Sequence, residues 1–166
     1  MCIMVRFLQV YSFYLWRNST GLVFNKSGQI LMVKNKKQNK WVPPGGHVDE
    51  NELPCIAVAR EIMEETGVKA QVLSSAPKRD LSSNISVELP MPLKISHVDV
   101  KGTGAIYYVD FFYLCYAETT ETTLQEAEID EIGWFSPEEA MKLDTHEDII
   151  KAIDYGVKLM QKINVE

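Results

Sequence analysis

The stretch Gly45-Gly-His-Val-Asp-Glu-Asn-Glu-Leu-Pro-Cys-Ile-Ala-Val-Ala-Arg-Glu-Ile-Met-Glu-Glu-Thr-Gly-Val68 decides the reading of this chain. Residues 52–66 carry a helical pattern. Pro54 is confined to the first turn, Asn51 is the candidate N-cap, and Gly67 stands where a helix closes on a left-handed residue. At 100° per residue, Ile56, Ala59, Ile62 and Met63 gather on one side, the expected core face. Glu61, Glu64 and Glu65 fall within an arc of roughly 100° on another. Glu61 has like charges at i+3 and i+4, and each such pair costs a helix about 0.2–0.5 kcal/mol. Hard divalent cations offset that cost, because they take carboxylate oxygens. For three clustered glutamates the plain alternative is a solvated acidic face, and the flanking residues weigh against it. Gly45-Gly46 allows a tight turn whose backbone carbonyls can face a metal. Arg60 lies beside Glu61 and one turn before Glu64, placed to orient carboxylates through paired hydrogen bonds, and Glu52 can in turn hold Arg60.

Working outward, residues 21–24 and 29–33 are short apolar runs joined by Asn25-Lys-Ser-Gly28, a hairpin signal. Residues 34–40 read as a polar, basic loop, and 41–46 as a segment stiffened by Pro43 and Pro44. Downstream, 68–73 is a strand and 74–92 a long turn-rich loop. Strands 94–100 and 105–117 are joined by a turn at 101–104. An acidic loop over 119–128 precedes a short strand at 132–135. Ser136-Pro-Glu-Glu139 then supplies an N-cap, a first-turn proline and a capping-box glutamate. A last helix spans 147–162. Strands and helices alternate with no repeat or linker, so 1–166 reads as a single α/β or α+β domain with a mixed sheet.

Composition agrees. The chain has 166 residues, 46% apolar and 24% charged, values of a globular domain with a core rather than of a disordered, collagen-like or coiled-coil chain. With Lys+Arg at 17 and Asp+Glu at 23, the net charge of −6 gives no broad grip on a nucleic-acid backbone. A compact phosphate substrate remains accessible through divalent cations. Cys2, Cys55 and Cys115 form neither a disulfide framework nor a metal spacing, which fits a reducing, cytoplasmic setting. The apolar residues 1–17 are too short for a membrane span and lack a small-residue cleavage site. They read as a first segment packed on the domain, with a cover for a homodimer partner as the other reading.

Gly46, five residues, Glu52, seven residues, Arg60-Glu61-Ile62, one residue, Glu64-Glu65, one residue, Gly67-Val68 resembles the complete signature of the Nudix hydrolase family, with no departure at any position. The resemblance implies an α/β/α sandwich with a central mixed β-sheet and a loop–helix–loop motif. It implies hydrolysis, with Mg²⁺ or Mn²⁺, of the pyrophosphate bond in a nucleoside diphosphate linked to another group. Glu61, Glu64 and Glu65 resemble the metal-binding glutamates, the Gly45 carbonyl a further ligand, Arg60 the orienting arginine and Glu52 its support. Glu61 is the first choice of general base and Glu64 the second. Glu126 and Glu128, in the acidic loop, are candidates for a ligand from outside the helix; solvated loop charge is the alternative for both. The substrate is expected to be a nucleoside triphosphate, nucleotide sugar or similar small nucleotide rather than long RNA. The other class of function is a non-catalytic nucleotide-binding sensor or interaction module on the same fold.

Weaker candidates remain. Trp41 stacks on a base or, as the favoured reading, packs in the core. Alternation places Tyr108, Asp110 and Phe112 on one strand face, with Asp110 marking it as the wetter one. Tyr108 and Asp110 are therefore candidate substrate contacts, as is Gly46 of the turn, although a merely solvated or hydrogen-bonded Asp is the commoner case. Lys34, Lys36, Lys37 and Lys40 could steer an anion toward the Gly-rich turn, or simply be solvated. His97 and His146 read as structural or surface residues, and Cys55 as packing.

Overall fold

Strand β1 (Leu15–Phe24) runs through the middle of an eight-stranded mixed sheet. The computed structural model describes residues 15–77, 81–99 and 107–163. The first fourteen residues and the 101–104 turn lie outside that range, so the expectations placed on them find no counterpart here. Strand β7 (Tyr107–Ala117) lies parallel to β1, from Leu15 opposite Tyr107 to Phe24 opposite Tyr116. Among the described residues all other pairings are antiparallel. The Asn25–Gly28 turn leads into β2 (Ile30–Asn35), which carries β3 (Lys40–Val42) on one edge and β8 (Ile129–Phe135) on the other. Strand β4 (Gly45–His47) pairs with the first half of β1, while β5 (Ala70–Leu73) and β6 (Lys94–Asp99) share the outer edge of β7.

Period-2 alternation in the central strands buries both faces. Leu22, Phe24, Ile30, Met32, Phe112 and Leu114 meet Ile149, Ala152 and Ile153 of the last helix, Glu147–Met160. Val23, Leu31, Tyr113 and Cys115 meet Cys55, Val58 and Ile62 of the signature helix, Pro54–Thr66. We call these helices α3 and α1; α2 is the single turn Pro137–Ala140. One helix on each face makes the expected α/β/α sandwich. An added Cβ on Gly21 would stand 2.7 Å from Ile62, so the bare backbone there is what lets α1 rest on β1. Among the described residues no helix is long and apolar enough to cross a membrane.

Three expectations need correction. The core stripe of α1 is rotated toward Cys55, Val58 and Ile62, leaving Ile56 and Met63 exposed. Apolar residues surround this helix, so periodicity alone did not single out the buried side. Asn51 does not cap it: its φ is 63°, a left-handed turn residue, and Leu53 occupies the N-cap position without a side-chain bond. Strand β8 begins at Ile129, earlier than expected, because Ile129 is fully buried although flanked by acids.

Candidate active site

Three local contacts seat α1 against the strands. The Ser19 hydroxyl of β1 donates to the Pro54 carbonyl at 2.7 Å, tying down the first turn. The Gly45 N–H donates to Glu65 Oε2 at 2.9 Å. The Glu61 carboxyl group lies against the α-carbon of Gly46, where an added Cβ would come within 2.6 Å of it. At the far end Gly67, with φ of 70°, donates its N–H to the Met63 carbonyl and closes the helix, as expected of a left-handed terminal residue.

Arg60 organises the carboxylates. Its Nε and Nη2 meet Glu52 Oε1 and Oε2 at 3.0 and 2.8 Å, a two-point grip. Nη1 reaches Glu61 Oε1 at 2.8 Å and Glu64 Oε2 at 3.1 Å, and Nη2 also donates to the His47 carbonyl at 2.9 Å. The hydrogen bonds from Arg60 hold the Glu52 carboxyl below its usual range, against the opposing effect of burial. The same bonds raise the Arg60 guanidinium further, so it stays charged.

The remaining carboxylates carry more charge than Arg60 can balance. Glu65 is 6% exposed, and burial first, then the charges of Glu61, Glu128 and Glu64, push its carboxyl to about 7, against the Gly45 hydrogen bond. Burial also raises Glu61, with Arg60 opposing and Glu64 and Glu128 adding to the shift. Glu64 is the exposed member, its side chain 57% accessible. Glu52, Glu61 and Glu64 thus share one guanidinium, while Glu65 is held by the Gly45 N–H and not by Arg60. That surplus of hard oxygen donors fits a divalent cation. Among the described residues no three His, Cys, Asp or Glu side chains form a closed cage. Mg²⁺ does not require one, since it keeps several waters and takes one or two carboxylates together with substrate phosphates.

The two loop candidates separate. Backbone bonds from Thr123 to Thr66 and from Gln125 to Glu65 dock the acidic loop on the end of α1. Glu128 lies close enough for its charge to act on Glu61 and Glu65. Glu126 offers its backbone carbonyl to Lys36 Nζ, and its carboxylate does not figure among the charges acting on the α1 glutamates.

Trp41 packs against the α3-side core, edge-on to Phe135 with centroids 5.1 Å apart, which is the core reading. Cys55 is buried among Val58, Ile62 and Tyr113. Lys34, Lys36 and Lys40 pair with Glu131, Asp130 and Asp144, so most of the basic loop is neutralised. The His146 ring bonds Gln38 at 2.9 Å. Tyr108 is half-buried and Asp110 buried, on the α3 face and away from the α1 glutamates. The expectation that Asp110 marks a wet face is therefore corrected: it is 8% exposed, with the Thr20 hydroxyl donating to Oδ1 at 2.8 Å. Burial raises its carboxyl against that hydrogen bond. Ser19 and the His47 carbonyl escaped the sequence reading, because neither residue type nor spacing flags a contact made through sheet pairing.

A NUDIX domain model matches residues 15–155. Over 49 residues the chain is 51% identical to a Bacillus subtilis (strain 168) protein provisionally named an 8-oxo-dGTP diphosphatase, covering 30% of this chain and 33% of that one. Over 57 residues it is 40% identical to an RNA pyrophosphohydrolase of Aeromonas hydrophila subsp. hydrophila, covering 34% and 33%. The chain spans about a third of the length of these curated relatives. Among solved structures, a NUDIX family hydrolase from Clostridium perfringens superposes with a TM-score of 0.74 at 24% identity, over 89% of this chain and 99% of that one. A C. elegans Ap4A hydrolase does so with 0.68 at 16% identity, over 90% and 100%; both likenesses bear on the fold. The domain match runs from the first residue of β1 into α3 and takes in the whole signature helix, and on that extent the chain belongs to the Nudix family.

Proposed function

We propose that this chain is a metal-dependent pyrophosphohydrolase, acting with Mg²⁺ or Mn²⁺ on a small nucleotide in which a nucleoside diphosphate is linked to another group. The observation that carries this reading is the surplus of carboxylates on α1, with Glu65 buried, raised to about 7 and given no cation of its own. Glu61, Glu64 and Glu65 would hold the ion, with the Gly45 carbonyl and Glu128 as further candidate ligands. When bound, such an ion neutralises the diphosphate and makes water more acidic. Arg60 keeps Glu61 and Glu64 turned toward the substrate, and Glu52 keeps Arg60 in place. Glu61, seated on Gly46 with its pKa raised, accepts the proton of the attacking water, and Glu64 is the second choice. The printed names of the relatives, a diphosphatase and a pyrophosphohydrolase, support a phosphoanhydride as the bond broken. The acidic chain favours a small nucleotide over long RNA.

The test is a panel of nucleoside triphosphates, nucleotide sugars and dinucleoside polyphosphates incubated with Mg²⁺ or Mn²⁺, with products identified by mass spectrometry. Cleavage at a pyrophosphate bond, abolished in Glu64→Gln, is the expected result. Nucleotide binding without any cleavage across the panel favours the sensor reading instead.

A further inference from the structure

On the sheet face opposite the α1 glutamates lies a polar strip that the proposed reaction does not use. Asn18 of β1 stands opposite Asp110 of β7, and Asp110 stands opposite Ser96 of β6; on its other edge Asn18 faces His47 of β4. Paired residues project from the same side of a sheet, so these four share one face. Trp16 and Tyr108 form the next row on one side; Thr20, Phe112 and Lys94 form it on the other. Helix α3 covers this face at the Leu22 and Leu114 end, where Lys94 pairs with Asp148 at 2.7 Å. The aromatic end is open, with Trp16 49% exposed.

Two acceptors in the strip are underused. Asn18 Oδ1 is buried and has no donor. The buried Asp110 carboxyl receives the Thr20 hydroxyl on Oδ1; among the described residues no other hydrogen bond to it is made, and Lys94 acts on it through its charge. Buried polar atoms are ordinarily satisfied, and leaving one bare costs stability. These two sit on neighbouring strands, about 4.8 Å apart at the backbone. A planar ligand whose edge presents two adjacent N–H donors satisfies both. The Watson–Crick edge of guanine, N1–H beside N2–H₂, is such an edge; adenine sets a bare N1 lone pair against the Asp110 carboxylate.

Strand β4 connects the strip to the glutamates. Gly46 faces the Glu61 carboxyl, whereas His47, one residue on, turns its ring to Trp16 with centroids 5.1 Å apart. Among the described residues β4 pairs with no strand but β1, and on its outer edge the Gly45 N–H and the His47 carbonyl meet Glu65 and Arg60 of α1, so a diphosphate at those side chains is one strand away from the strip. We propose that Asn18 and Asp110 form a guanine-selective base site, flanked by the Trp16 and Tyr108 rings, for the nucleotide whose diphosphate lies at Glu61, Glu64 and Glu65. This inference rests on the pyrophosphohydrolase reading and adds the identity of the base.

Calorimetric titration of the full chain with GMP, IMP and AMP tests it, since these monophosphates have no pyrophosphate bond to break. GMP is expected to bind about tenfold to a hundredfold tighter than AMP, with IMP, which lacks the 2-amino donor, between them. Asp110→Asn, which replaces a pure acceptor by a mixed donor and acceptor, brings the GMP and AMP affinities together. Asn18→Leu weakens GMP and leaves AMP little changed. Equal affinities for the three ligands, no binding of GMP, or a preference unchanged in Asp110→Asn overturns the proposal. The ligand series on the unaltered chain decides even where a variant fails to fold. No hydrolysis is read here, so a failed base preference and a failed nucleotide panel remain separate results.

Discussion

Helices α1 and α3 lie on opposite faces of one sheet and handle charge in opposite ways. In α3, Glu147 pairs with Lys151 and Asp154 with Lys158, each at 2.6 Å and each with the acid four residues before the base. That order suits both the pair geometry and the helix dipole, which also favours Glu147 and Asp148 in the first turn and Lys158 in the last. Helix α1 has no acid in its first turn and no base in its last. It stacks Glu61, Glu64 and Glu65 toward the C-terminal end, where the dipole disfavours negative charge. The α3 charges serve the helix that carries them. Those of α1 oppose theirs, and a helix that gives up local stability in this way holds its charges for a ligand.

The contrast is most exposed at Glu64. Glu64→Gln is expected to cut Mg²⁺-dependent cleavage by more than about 100-fold while the metal-free protein melts no lower than before. A variant that loses activity and stability together would place Glu64 among ordinary helix-supporting charges. Gly46→Ala comes next. The added methyl displaces the Glu61 carboxyl, the free end of a flexible side chain, so activity should fall about 10- to 100-fold with little change in melting temperature. Unchanged turnover would show that Glu61 need not sit on Gly46.

A third effect is thermodynamic. The Glu65 carboxyl titrates at about 7 in the folded protein against 4.5 for the ordinary group. Folding therefore takes up a proton between these values, and the stabilisation, fully present below 4.5, is lost as pH rises through 7. Metal-free protein should be more stable at pH 5 than at pH 8 by on the order of 2 kcal/mol, and so melt higher. Glu52, held low by Arg60, has the opposite sign, but its loss falls below that window. Added Mg²⁺ should raise the midpoint more at pH 8 than at pH 5, because ion and proton compete for the same oxygens. Thermal scans at both pH values, with and without Mg²⁺, check this; a metal-free midpoint that rises with pH refutes it. The smallest effect belongs to α3: Lys151→Ala breaks an exposed pair and should leave both turnover and melting temperature where they were. A clear loss would mean that the charge pattern of α3 also reaches the site.

Features that depend on neighbours in the chain were legible before the structure. The Asn25–Gly28 turn forms as read. Ser136 accepts from the Glu139 N–H at 3.3 Å while Glu139 Oε2 accepts from the Ser136 N–H at 2.9 Å, the capping box foreseen there. The helix it starts is only one turn long, which no cap signal could have set. Arg60 grips Glu52, Glu61 and Glu64 as their spacing suggested. The buried side of α1 was misread because Ile56 and Met63 are as apolar as Val58 and Ile62, and the choice between them falls to the bare backbone of Gly21 across the chain. Asp110 follows the commoner, hydrogen-bonded case, and the depth of its burial depends on the strands on both sides, which its own segment does not reveal.

The division follows the range of the forces. Composition and alternation gave a mixed-sheet domain and left α/β and α+β open, while the resemblance of one glutamate-rich helix to the Nudix signature implied the family and with it the sandwich, because that signature lies within a few turns of chain. Which of two loop carboxylates stands near that cluster, how deep Glu65 lies, and the meeting of Asn18 with Asp110 across 92 residues of sequence were settled by sheet pairing and burial. Those depend on which distant segments exclude water together, and a linear pattern carries no record of that.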